Sequence, residues 1–414
     1  MQISNSLYLG KKKFFVDIRT ITMVFCIVFI SFVDLTRLIK IGNYTLSAIF
    51  TITLPFLVLG VYVANFHLSK LTFGYIWSEI LFLFWTLLSF TWGGFDKSGL
   101  QNFLAFLLSI SLLLLAYRIT CLYKKTALMF LKLILYGVLF ACLLFIINYL
   151  FTGSIEGGMI SPRPIGYFGI VGVSLALAFW RGYKANRFLM ISLLISLTIL
   201  LSLSRMAFIL SLLLIPFSGL INTNNKRMFG VILITFIVLI SIYYITFYYE
   251  PLRNRFFSGD LSIQIINFNI NASGRINIWR LVLDSYTRSP ILGQGAGSSN
   301  TLTNSHYYYI DHPHNDYLRL LHDYGIVGTI IWITSKIKVL NCILSRKKSK
   351  FENKTEKTLK YASFLIIISL FCLMLTGNPL VYNFFMCPFG IIIGSYLGCL
   401  ENNAKSVNGK KGVV

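Results

Sequence analysis

Twelve apolar runs, most of them close to the length of a bilayer crossing, leave this chain few ways to fold. A helix needs about 20 apolar residues to span the hydrocarbon core. Inside it every backbone polar group must be satisfied within the chain, which favours helices. The runs fall at 20–33 continuing toward 38, then 45–66, 73–92, 100–117, 126–151, 166–180, 188–203, 206–221 and 228–247. After a long gap come 318–333 continuing toward 344, then 361–375 and 384–400. Only 12% of the 414 residues are charged, against about 25% in soluble proteins. The pattern predicts an all-α polytopic membrane protein with about twelve transmembrane helices and one large loop between the ninth and tenth. It divides into 1–247 (a membrane region of about nine helices), 248–317 (the loop), 318–400 (about three helices) and a cytoplasmic tail, 401–414.

The net charge of +23 does not indicate nucleic acid, because the basic residues flank apolar runs. With the N-terminus inside, the inner segments hold 26 of the 37 basic residues, including Lys11–Lys13 and the whole stretch from Lys336 to Lys360. Alternate loops then obey the positive-inside rule, both termini face the cytoplasm, and anionic lipid headgroups are the partners of the basic loops. Lys11–Lys13 precede an apolar run read as a first span, not a cleavable signal. The seven cysteines avoid the large loop and suggest neither a disulfide framework nor a CxxC metal site. Glu79, inside the third run, reads as a helix–helix hydrogen-bonding group.

Parity places 248–317 outside. This segment has five arginines (Arg253, Arg255, Arg275, Arg280, Arg288) and no lysine, although lysine outnumbers arginine 22 to 15 overall. Arginine's rigid fork suits carboxylate and phosphate, so the bias points to an anionic ligand.

Three stretches carry candidate chemistry. The first is SLSR at 202–205, which breaks an apolar run with basic residues at both ends. Each arm has about 16 residues, hence about 24 Å against a core of about 30 Å. Arg205 then sits at the apex of a recessed hairpin, or else snorkels to the outer headgroups. The second is GRINIWRLVLDSYTRSP, read as an amphipathic helix on the outer leaflet. Ser273 is its N-cap, Pro290 its end, and Ile276, Trp279, Val282 and Leu283 its apolar face. Arg275 lies in the first turn, where free N–H groups favour an anion. Arg280, Asp284 and Arg288 form a solvated charge ladder.

The third stretch, 305–328, holds His306, His312, His314 and His322, four of the five histidines, with Asp311, Asp316 and Asp323. A zinc site from His312, His314 and Asp316, with His306, is one reading, although Pro313 suits a helix entry better than a chelate. Proton-coupled transport is another. The third is general-base catalysis by one neutral imidazole beside Asn315 and Asp316, near arginines holding an anionic leaving group.

LSLSRMAFIL, GRINIWRLVLDSYTRSPILGQGAG and HPHNDYLRLLHDYGIVG, in this order, resemble the O-antigen ligase and polymerase superfamily, with SPRPIGYFGI at 161–170 a weaker fourth element. Members handle undecaprenyl-diphosphate-linked sugars in bacteria. The resemblance implies an inverting, metal-independent glycosyltransferase without cofactor, in the bacterial inner membrane, with its active site extracytoplasmic. It implies that Arg205 and Arg275 bind the lipid diphosphate, with Arg163. It further implies that His314 is the base, with His312 the competing assignment, and that Asn315 and Asp316 orient it. Where relatives often carry a Pro-Asn pair after Arg163, this chain reads GYFGIVGV. Polymerisation of O-antigen or capsule repeat units is the function expected. Ligation of polysaccharide to lipid A-core is the alternative, and a lipid-linked sugar flippase or transporter lies in a different class. The implied partners are the lipid-linked oligosaccharide, membrane lipid, a chain-length regulator and a flippase, and no nucleic acid.

Overall fold

In the computed structural model, the protein is described over residues 17–42, 44–64, 69–153, 161–221, 225–257, 262–265, 268–271, 274–307, 310–345 and 353–411. The chain opens with α1 (Ile18–Ser31) and α2 (Val33–Thr36), then a small hairpin of β1 (Lys40–Ile41) and β2 (Tyr44–Thr45). Next come α3 (Leu46–Val63), α4 (Lys70–Gly93), α5 (Lys97–Leu122), α6 (Thr126–Thr152) and α7 (Pro162–Tyr183). Then follow α8 (Asn186–Leu201), α9 (Arg205–Phe217) and α10 (Asn225–Tyr248). The large loop holds α11 (Glu250–Phe257), β3 (Ser262–Ile265), β4 (Phe268–Asn271), α12 (Arg275–Tyr286) and α13 (Ser298–His306). The chain ends with α14 (Asp316–Ser345), α15 (Lys354–Met374), a 3-10 turn at Pro379–Val381 and α16 (Asn383–Lys411).

This is a polytopic helical membrane protein. Among the described residues nine helices are long and apolar enough to cross a membrane, and α1, α8 and α9 are shorter apolar helices. The first run does not continue as one helix toward 38, because Phe32 leaves helical geometry (φ −108°, ψ 7°) and α2 starts anew. The architecture is helical as expected, with two short antiparallel hairpins added to it; β3 pairs Ser262 with Asn271 and Ile265 with Phe268. At the other end, α16 continues to Lys411.

Two enclosed helices, α5 and α16, form the centre. Their packing has a simple cause. Gly390, Gly394 and Gly398 recur every fourth residue, and a Cβ on each would strike the carbonyl oxygen of Ser109, Leu113 and Tyr117 respectively, also every fourth residue. Small residues at this spacing let two backbones approach closely where no hydrophobic force distinguishes helix from lipid. Ser109 Oγ adds a hydrogen bond to the Met386 carbonyl at 2.8 Å. Around this pair, α3 lies against α5, and α7 lies against α6, α8, α15 and α16. Most of α10 is exposed; it leans on α9 and α11.

Glu79 on α4 meets Lys336 on α14, with Nζ 2.6 and 2.7 Å from the two carboxylate oxygens. Lys336 lies within α14, which continues to Ser345, and is buried.

Candidate active site

The break at 202–205 is built by local hydrogen bonds. Ser202 Oγ turns back to the Ile199 carbonyl at 2.7 Å, and Leu203 takes a left-handed conformation (φ 54°). Ser204 Oγ then donates to the Pro162 carbonyl at 3.3 Å, joining the start of α9 to the start of α7. Arg205 is the first residue of α9 and half-buried. Its Nη1 donates to the Arg255 carbonyl at 2.8 Å, and its guanidinium lies 5.4 Å from the centre of the Phe256 ring. The positive charges of Arg275 and Arg255 act on it. Positive charges that act on one another favour a nearby anion. Arg163 falls in the first turn of α7, and its side chain lies outside what the structure describes.

Arg275 begins α12, after Gly274 in a left-handed conformation (φ 71°) at the N-cap position. Ser273, the expected cap, lies outside the described residues. The buried face of α12 is Ile278, Val282 and Ser285, while Leu283 is exposed. The expected face was therefore rotated, because α12 packs on α13 and α14. Arg280, Asp284 and Arg288 are exposed, and among the described residues no ion pair links them.

The segment 376–380, between α15 and α16, gathers the candidate groups. Arg275 Nη1 donates to the Thr376 carbonyl at 2.9 Å. The Asn378 N–H donates to the Tyr167 hydroxyl at 2.9 Å, and the Asn378 side-chain nitrogen lies 3.2 Å from His314 Nδ1. The Leu380 N–H donates to Asp316 Oδ2 at 2.9 Å. Tyr167 stacks on Tyr382 with centroids 4.9 Å apart. Tyr167 thus brings the weak element GYFGI to the same place. The signal in the sequence was Gly377-Asn378-Pro379, turn residues between two apolar runs, which reads as an ordinary connection.

His314 has φ 55°, a conformation uncommon for a residue with a Cβ. Both neighbours fix it. Trp279 Nε1 donates to the Pro313 carbonyl at 2.9 Å, and Asn315 Oδ1 accepts the N–H groups of Tyr317 (3.0 Å) and Leu318 (3.1 Å). Asn315 is thereby the N-cap of α14. Asp316, fully buried, pairs with the equally buried Arg319 at 3.3 Å. His312 is half-buried, whereas His306 is exposed at the end of α13, 3.1 Å from the Leu302 carbonyl. Among the described residues no group of three or more His, Cys, Asp or Glu is arranged to hold a metal ion.

The rest of the histidine stretch has another task. At Gly325 (φ 66°, ψ −174°) helix α14 is interrupted. The chain from 290 to 297 lies alongside and satisfies the freed backbone. Ile326 N–H donates to the Pro290 carbonyl (2.9 Å), Gln294 N–H to the His322 carbonyl (2.8 Å) and Gly295 N–H to the Asp323 carbonyl (2.9 Å). A Cβ on Gly293 or Gly325 would strike the other's backbone. His322 Nε2 lies 3.1 Å from Ser285 Oγ, and its Nδ1 lies 3.2 Å from Asp323 Oδ1. That order of groups resembles a nucleophile relay, but all three are buried. Asp323 also accepts from the Ser299 N–H (2.8 Å) and Ser298 Oγ (3.1 Å). His322 and Asp323 are structural ties.

Residues 190–333 match the family described as O-antigen ligase. A protein of Rickettsia conorii, provisionally named a polysaccharide ligase, is 32% identical over 117 residues, 26% of this chain and 27% of the relative. A protein of Rickettsia felis with the same provisional name is 31% identical over 103 residues, 22% of this chain and 25% of the relative. The matches span about a quarter of these relatives' length. The family match begins after Arg163 and ends before the segment 376–380. The matched stretch, 190–333, carries Arg205, Arg275, His312 and His314.

Proposed function

We propose that this protein is a membrane glycosyltransferase that lengthens polysaccharide chains carried on undecaprenyl diphosphate. The observation that carries the proposal is that Arg275 and His314 are both held by the segment 376–380, with Arg205 within electrostatic reach of Arg275. In this reading Arg205 and Arg275 meet the diphosphate, whose charge grows as it leaves. His314 takes the proton of an acceptor hydroxyl, the hydroxyl oxygen attacks the anomeric carbon from the opposite face, and the carbon–phosphate-oxygen bond breaks. Twelve crossings, cytoplasmic termini and a site at the outer face of the inner membrane belong to the same proposal. A second reading, ligation of finished polysaccharide onto a lipid A-core acceptor, draws on the ligase names of the family and of both relatives.

The test is polysaccharide display in cells lacking the gene, complemented with wild type, His314→Ala or His312→Ala, with expression checked by blot. Core bearing a single repeat in the deletion strain supports polymerisation. Bare core with long polymer on the lipid carrier supports ligation. A normal ladder in the deletion strain overturns both, and a normal ladder from well-expressed His314→Ala overturns the base assignment.

A further inference from the structure

We infer that Asn378, outside the stretch that matches the family, sets the tautomer of His314 and so makes it a base. The inference rests on the glycosyl-transfer reading above.

A neutral imidazole carries its proton on one ring nitrogen and a lone pair on the other. For Nε2 to accept a proton, Nδ1 must hold one, and a hydrogen-bond acceptor at Nδ1 selects that form. Asn378 is the side chain 3.2 Å from His314 Nδ1. Its carboxamide has an oxygen on one arm and NH2 on the other, and a half-turn exchanges them with almost no change of shape. The oxygen arm, buried and without a hydrogen-bond partner among the described residues, gains one when it faces Nδ1–H. With Nδ1–H held there, Nε2 keeps its lone pair.

The surroundings make Asn378 a fixed point. It is 1% exposed. Its backbone N–H is tied to the Tyr167 hydroxyl, and Pro379 restricts its backbone. Two residues before it, the Thr376 carbonyl holds Arg275; two after it, the Leu380 N–H holds Asp316. Base and diphosphate arginine are thereby referenced to one five-residue segment, and the base is oriented by a group that needs no charge. Acting through His314, Asn378 is a positioning residue, distinct from a turn residue that only closes the loop before α16.

The experiment uses the full chain in lipid nanodiscs, with lipid-linked glycan extracted from the deletion strain as donor. Asn378→Leu should lower the maximal rate about 100-fold or more, with half-saturating donor concentration changed by no more than about twofold. Asn378→Asp, which offers oxygen but no NH2, should stay within about tenfold of wild type. Independently of activity, 15N-histidine NMR should show His314 protonated at Nδ1 in wild type and Asn378→Asp. The signal is assigned by its loss in His314→Ala, and it should lose that preference in Asn378→Leu. Wild-type rate in Asn378→Leu, equal loss in both variants, or His314 protonated at Nε2 in wild type would each overturn the inference. If wild type shows the expected NMR signal yet transfers no glycan, the glycosyl-transfer reading fails and the tautomer assignment stands.

Discussion

Asp323 holds the backbone N–H of Ser299 at 2.8 Å across 24 positions of sequence, and by it fastens the start of α13 to the interruption of α14. The same carboxylate takes the Ser298 hydroxyl and the Gly297 N–H, and lies 3.2 Å from His322 Nδ1. A helix broken within a membrane protein survives only where other protein groups satisfy its backbone, and this carboxylate keeps the satisfying segment in place. Asp323→Ala strands buried donors at about 1–3 kcal/mol each. Thermal unfolding in detergent should therefore show a loss of at least about 2 kcal/mol. A change under about 0.5 kcal/mol would mean that the loop is held by other contacts.

Close approach of α5 and α16 gives a second prediction. Gly394 faces the Leu113 carbonyl with no room for a Cβ, and the obstacle is backbone, which cannot rotate away. Gly394→Leu should separate the two central helices and abolish accumulation of the folded protein. Gly230→Leu, on exposed α10 with nothing within 4 Å of its Cβ position, should accumulate normally. Fluorescence-detected size exclusion compares them. Similar profiles for both would sink the backbone-contact account.

Much of this was legible in the sequence because it depended on local pattern. Arg205 at a break between two short apolar arms, and Arg275 at a helix start, follow from chain length and capping. A hydrogen-bonding role for Glu79 could be read from its setting, but its partner lies 257 residues away; proximity across helices leaves no trace in periodicity. The histidine stretch misled for a related reason. A run of titratable residues looks like one site, yet the helix that starts at Asp316 carries His322 and Asp323 nearly two turns along, into a different set of neighbours. Asn378 went unseen because a Gly-Asn-Pro turn looks the same whether it merely connects helices or also positions a base.

The buried pair Glu79–Lys336 supplies a third prediction. Lys336 is 3% exposed and lies 4.4 Å from the Trp332 ring centre. Removing one partner leaves a charge with no water to solvate it, at about 3–5 kcal/mol, whereas replacing both with apolar residues of similar size is often neutral. Glu79→Leu should thus lower the unfolding temperature in detergent strongly, and Glu79→Leu with Lys336→Met should restore most of it. Additive losses in the double variant would indicate that each residue is held by something other than its partner.

Arg275→Lys separates charge from geometry. Arginine reaches the Thr376 carbonyl with Nη1 at 2.9 Å and, in the proposed function, meets a diphosphate as a planar fork. A lysine ammonium keeps the charge but is a compact point donor on a flexible stem; it cannot hold the carbonyl and grip two phosphate oxygens in one plane. The transfer rate with extracted donor should fall at least about 10-fold. Arg275→Ala should fall further, because the positive charge is lost as well. Thermal unfolding reports the Thr376 contact separately, and both variants should lose a similar, small amount there. Wild-type rate in Arg275→Lys would reduce the role of Arg275 to its charge. A rate that falls only in proportion to folded protein would assign the residue to holding the segment 376–380, and leave Arg205 to meet the diphosphate.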